Sequence, residues 1–318
     1  MAGAVILAWL LWRVGSDPFL VALKRIDGWS LAAATGIAVM TTVCSAWRWT
    51  LAARGLGVAL PLRSAVAASY RSQFLNVTLP GGVLGDVHRG VRHGREAGDL
   101  GRGLRSVAWE RASGQAVQVS LTVAVLLLLS APVRISWQVA VAVAAAAALT
   151  LALVAGLASH GGSTAPARAA RAAIVDLRTG VLGRHTLPGV VIASTATLAG
   201  YVATLVIAAR SAGVTATLGQ LLPLALLILL AMTIPLSIAG WGPREGVAAW
   251  AFAAAGLGVD QGVATAVIYG VMVFVAALPG AALLLAARLD RRAVRLPRTE
   301  TRGVARPIVA GTNGAGRA

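Results

Sequence analysis

Six stretches of this chain contain no Asp, Glu, Lys or Arg: residues 28–47, 112–133, 135–167, 186–209, 211–243 and 261–287. A helix needs about 20 apolar residues to cross the hydrocarbon core of a bilayer. Each window meets that length or exceeds it. A soluble domain averages about 25% charged residues; here 12% of the residues are charged and 58% are hydrophobic. Mean hydropathy is +0.78. The expected fold is therefore an all-α, polytopic helical membrane protein, and an ordinary soluble protein is excluded.

The charges that remain are clustered. Segment 87–105 carries Arg89, Arg92, Arg95, Arg102 and Arg105 against Glu96 and Asp99. Loop 158–186 carries Arg168, Arg171, Arg178 and Arg184 against Asp176, and eight arginines follow residue 287. Arginine-rich connections mark the cytoplasmic side of a membrane protein. This explains the formal net charge of +17 without nucleic acid, since no aromatic residues interleave the arginines as a stacking platform requires. The single cysteine, Cys44, permits no intrachain disulfide and no thiolate metal site. Of four histidines, His88 and His93 are spaced off a common helix face. No metal and no cofactor is expected.

Nine hydrophobic elements are expected, at 1–12, 29–53, 62–85, 106–131, 135–157, 187–210, 219–240, 244–258 and 262–287. They give about seven to nine transmembrane elements once irregular ones are allowed for. The first reads as a short span and not as a cleaved signal peptide, because no basic n-region or A-x-A site accompanies it. The pair 219–240 and 244–258 is either two spans or one re-entrant hairpin. Residues 1–290 are expected to form one membrane domain and 291–318 a basic, disordered cytoplasmic tail. Arginine outnumbers lysine heavily, as in a GC-rich bacterial genome, so the expected location is a bacterial plasma membrane with the C-terminus cytoplasmic.

Two stretches resemble each other. In the first, Pro80 is followed by Gly81, Gly82, Gly85, Asp86 and Arg89; in the second, Pro235 is followed by Gly240, Gly242, Arg244 and Glu245. Proline cannot continue a helical ladder, it biases the preceding Leu79 or Ile234 away from the helical region, and the glycines let the chain turn. Broken helices at membrane depth are tolerated where they are buried in protein or line a wet cavity. A pair of them in two halves of one chain points to a transporter-like binding site. Gly242, Pro243, Arg244 and Glu245 read as N-cap, N1, N2 and N3 of a new helix, with proline suited to N1. Glu245 complements the helix dipole; Arg244 opposes it and so calls for an anionic partner, with Asp86, Glu110 and a lipid phosphate as candidates.

Other polar residues fall inside apolar elements: Arg71, Gln73 and Asn76 in 62–85, and Glu110 with Arg111 at the head of the next span. Such residues are costly in a membrane and usually face a cavity or pair together. Arg71 either joins the site or snorkels to a headgroup. Arg48, flanked by Trp47 and Trp49, reads as an interfacial anchor, since Trp marks membrane interfaces. The candidate substrate-binding residues are Arg71, Asn76, Pro80, Gly82, Asp86, Arg89, Glu110, Arg111, Arg244 and Glu245. No catalytic residue is assigned, because nucleotide, nucleophile-elbow and zinc-helix motifs are all absent.

Taken in order, the stretch from Gln73 through Pro80, Asp86 and Arg89, then Glu110-Arg111, then Pro235 through Arg244, Glu245 and Gly246, resembles the transmembrane region of bacterial lysylphosphatidylglycerol synthases and their stand-alone, flippase-like relatives. The resemblance covers about residues 29–290. It implies a region that moves aminoacylated phosphatidylglycerol between leaflets. In the synthases a separate cytosolic domain makes that lipid; here only a short arginine-rich tail follows residue 287, so the resemblance implies no synthase activity. The leading expectation is a lipid translocase for an anionic, zwitterionic or aminoacylated phospholipid or a polyprenyl-phosphate glycolipid, with Arg89 and Arg244 holding the headgroup phosphate. The alternative is a non-transporting accessory subunit of an envelope lipid- or glycan-modifying enzyme; a membrane-embedded transferase using Asp86 or Glu110 as base is a third. Expected partners are a membrane lipid with a phosphate headgroup and either an envelope-biosynthesis enzyme or a second copy of the chain.

Overall fold

The computed structural model describes residues 24–80, 82–128, 172, 174–181, 183–233 and 242–295. The expected elements 1–12 and 135–157, the second helix break at 234–241 and the tail beyond residue 295 lie outside the described residues. Within them the protein is all-helical: α1 Gly28–Gly55, α2 Leu62–Thr78, α3 Leu84–Glu96, α4 Leu100–Leu128, α5 Leu187–Ser211, α6 Leu218–Ala231, α7 Pro243–Ala254 and α8 Val259–Arg295. A single π-helical turn, Asp176–Val181, precedes α5.

Four of these helices are long and apolar enough to cross a membrane: Gly28–Gly55, Leu100–Leu128, Leu187–Ser211 and Val259–Leu289. At 1.5 Å per residue, a 28-residue helix such as α1 is about 42 Å long, more than a hydrocarbon core of about 30 Å. The 14 residues of α6 and 12 of α7 reach only about 21 and 18 Å, short of that core.

Local chemistry sets the boundaries. Asp27 caps α1 by accepting the Ser30 backbone N–H, and that bond holds the Asp27 carboxyl below the ordinary carboxylate range. Helix α2 stops because Leu79, ahead of Pro80, is extended (φ −101°, ψ 150°), as the residue before proline prefers. Gly82 then turns at φ 64°, a left-handed conformation that glycine takes at least cost. Thr217 and Gln220 form a reciprocal capping box on α6.

The break expected at Pro80 divides element 62–85: its helix ends at Thr78, and a separate helix, α3, begins at Leu84. Segment 87–105, an arginine-rich connection by its charges, is α3 plus the first turn and a half of α4, with Arg89 and His93 buried. Helix α6 ends at Ala231, and residues 234–240 of element 219–240 lie outside the described residues.

Two cores hold the bundle. Leu221, Leu224, Ile228, Phe252, Ile268 and Met272, from α6, α7 and α8, are the centre of the larger one, joined by Leu205 of α5. The smaller one joins Ala46 and Trp49 of α1 to Ala65 of α2 and Val107 of α4. Between them α1 packs on α5, and α8 on α2 and α5. The polar residues gather in that space.

Candidate functional site

Arg48 departs furthest from its expected place. It is no interfacial anchor: it is 6% exposed, and its Nε donates to Glu110 Oε1 at 3.0 Å while Nη2 donates to the same oxygen. Nη1 donates to Ser194 at 3.2 Å. Glu110, on α4, is fully buried. Its other oxygen accepts from Arg89 Nη2 at 2.6 Å. Arg89 Nε donates in turn to Asp86 Oδ1 at 2.9 Å, and Arg111 Nη2 lies 2.7 Å from Asp86 Oδ2. Arg48, Glu110, Arg89, Asp86 and Arg111 thus form one ladder of alternating sign across α1, α3 and α4.

The ladder is braced on both sides. Ser72 and Asn76 of α2 donate to Asp86 at 3.0 and 3.2 Å, and Asn76 Oδ1 accepts the Gly85 N–H at 2.8 Å. The Pro80–Gly82 break thus folds α3 back so that its first turn meets the end of α2. The Arg89 guanidinium carbon sits 4.6 Å from the centroid of Trp49. Trp49 donates to Ser106 at 3.0 Å and meets His93 edge-on at 5.5 Å. Burial pushes the Asp86 carboxyl up, but the Arg111 and Arg89 guanidiniums outweigh it and hold the group below the ordinary carboxylate range.

A second pair opens α7. Gly242 is the N-cap and Pro243 is N1, as the sequence leads one to expect. Glu245 Oε2 accepts the Gly242 N–H at 2.7 Å. Glu245 Oε1 accepts from Arg244 Nε at 2.8 Å and from its Nη2. Arg244 thus forms an ion pair with its neighbour Glu245. Its guanidinium carbon is 5.7 Å from the Tyr269 ring centroid.

A cavity of about 790 Å³ lies between the ladder and this pair. Its described charged lining is three guanidiniums, Arg48, Arg111 and Arg244, and one carboxylate, Asp86. Gln73 and Asn76 from α2, Gln115 and Gln118 from α4, and Tyr201 and Tyr269 from α5 and α8 add polar groups to the wall. Of the expected site residues, Asn76, Gly82, Asp86, Arg111 and Arg244 line this cavity. Arg89, Glu110 and Glu245 stand behind the lining and hold it. Pro80 shapes the turn. Arg71 is not in the wall, and its buried Nε has no hydrogen-bond partner. Arg48, Ser194, Tyr201 and Tyr269 were not expected. Among the described residues, no three or more His, Cys, Asp or Glu side chains converge as metal ligands would.

A sequence profile described as the lysylphosphatidylglycerol synthase TM region matches residues 1–280. The chain belongs to this family. No curated protein and no solved structure matches it significantly. Membership of the lysylphosphatidylglycerol synthase TM-region family makes the chain a multi-pass membrane domain. It also places both proline–glycine motifs, the acid–arginine ladder and the α7 pair inside the region that defines the family.

Proposed function

We propose that the protein is a lipid translocase that moves a lipid with an anionic headgroup between the leaflets of a bacterial plasma membrane, its C-terminus cytoplasmic. One observation supports this above the others: the cavity inside the helical bundle faces its contents with three guanidiniums and one carboxylate. Two of the three buried carboxylates nearby, Glu110 and Glu245, are turned away and fully buried. The face left over is cationic. A guanidinium presents a planar fork that suits a phosphate oxygen pair, and inside a low-dielectric bundle such contacts are stronger than in water.

Arg111 is the ligand-facing cation in this reading. Its side chain is 47% exposed, while Arg48 and Arg244 are nearly covered. Arg89, 3% exposed, instead holds Asp86 and Glu110 in place. The amides and phenols of the wall would receive the uncharged part of a headgroup. No bond is made or broken in this cycle.

The test is transfer of tail-labelled phosphatidylglycerol between leaflets of proteoliposomes, read by quenching from outside. Wild type is expected to accelerate transfer, and Arg111→Ala and Arg244→Ala to lose at least about tenfold of it, a loss equivalent to one charge-assisted contact. Equal transfer by both variants and wild type would refute the proposal.

A further inference from the structure

Two glycines serve as seats for two of these guanidiniums. A Cβ built on Gly114 of α4 would stand 2.7 Å from Arg48 Cζ and 2.8 Å from both of its Nη atoms. Three near-equal distances mean that the guanidinium plane lies flat across the α4 backbone. A Cβ on Gly270 of α8 would meet Arg244 Nη2, with Cζ at 3.0 Å and Nη1 at 3.1 Å. Gly85, Gly94, Gly103 and Gly262 are instead closed in mainly by backbone.

Both glycines lie well inside long helices, where glycine costs up to about 1 kcal/mol relative to alanine. A flexible arginine could normally swing away from an added methyl. Arg48 cannot do so freely, because three of its nitrogens are tied to Glu110 and Ser194. Arg244 is likewise tied to Glu245. A methyl at either position must push the guanidinium into the cavity or break its ion pair. We infer that Gly114 and Gly270 are positioning residues: paired notches on α4 and α8 that seat Arg48 face-on and Arg244 by its Nη2 end against the cavity wall, fixing where their charge faces and keeping the volume open.

The decisive measurement is a double-mutant cycle on the full-length protein in mild detergent. Gly114→Ala is made in wild type and in Arg48→Gln, whose side chain stops short of the notch. Gly270→Ala is paired likewise with Arg244→Gln. Each alanine is expected to lower the thermal midpoint in wild type and to leave it unchanged, or raise it, beside the glutamine. Equal losses in both backgrounds would mean ordinary helix packing and would overturn the inference. If Arg48→Gln does not fold, the Gly270 cycle decides by the same criterion.

A second readout separates positioning from packing. The ratio of phosphatidylglycerol to phosphatidylcholine retained from mixed micelles is expected to fall about tenfold in Gly114→Ala, within the range of coupled contacts. A packing role would lower the midpoint and leave that ratio alone. Only this lipid readout rests on the translocase reading. If wild type shows no preference for phosphatidylglycerol, that reading fails, and the notches are judged on the midpoint cycles.

Discussion

At Glu110 one buried carboxylate answers two guanidiniums, Arg48 through one oxygen and Arg89 through the other. Removing one partner of a buried ion pair leaves uncompensated charge, which costs about 3–5 kcal/mol, whereas replacing the whole group with apolar residues can be neutral. Glu110→Gln should therefore lower the thermal midpoint of the purified protein sharply, and Glu110→Leu with Arg48→Met should lower it less. A midpoint unmoved by Glu110→Gln would show that the ladder does not hold α1 to α4. The residues of this ladder were only partly legible. Asp86, Arg89, Glu110 and Arg111 stand out as ionisable groups beside or within apolar windows, and cost alone marks them. Arg48 has the same cost, but its two flanking tryptophans mimic an interfacial belt. Trp49 is in fact fully buried against Ser106 and His93; period and composition do not say which face of α1 carries it.

The short helix α3 is the element on which the site depends, since it carries Asp86 and Arg89 at its start. It folds back on α4 in direct backbone contact. A Cβ on Gly103 would run into Gly94 Cα and N and come within 2.7 Å of Gly90 O. Overpacking of this kind typically costs about 1–3 kcal/mol. Gly103→Ala should lower the thermal midpoint and, by displacing α3, weaken retention of anionic lipid. Gly36→Ala, on α1 with nothing within 4 Å, is the control and should leave the midpoint unchanged or raise it through helix propensity. Equal effects at the two sites would sink this account of the hairpin. The long helices α1, α4, α5 and α8 were legible because a charge-free window is a direct signature of a span. The extent of α3 was not, because counting charge alone makes Arg89 through Arg105 look like one basic connection. The arginines of α3 divide by face: Arg89 inward, Arg95 exposed.

At the scale of the whole molecule the protein has two cationic surfaces, one inside the bundle and one on the exposed side of α3 and α4. Either would attract anionic lipid, and salt separates the two. Exposed charges are screened within a Debye length of about 10 Å at 0.1 M salt and about 3 Å at 1 M, while buried groups are screened much less. A ligand that binds only the folded state stabilises it, by about 2.7 kcal/mol when present at 100 times its Kd. Phosphatidylglycerol, and not phosphatidylcholine, should therefore raise the thermal midpoint of wild type in mild detergent. If the cavity is the site, most of that rise persists at 1 M salt and is lost in Arg111→Ala, whose guanidinium is the most exposed in the wall. If the basic surface is the site, the rise disappears with salt and Arg111→Ala retains it at low salt; charge reversal at Arg95 and Arg102 removes it instead. That second result would shift the weight from translocation to a protein that meets its partners through its basic face.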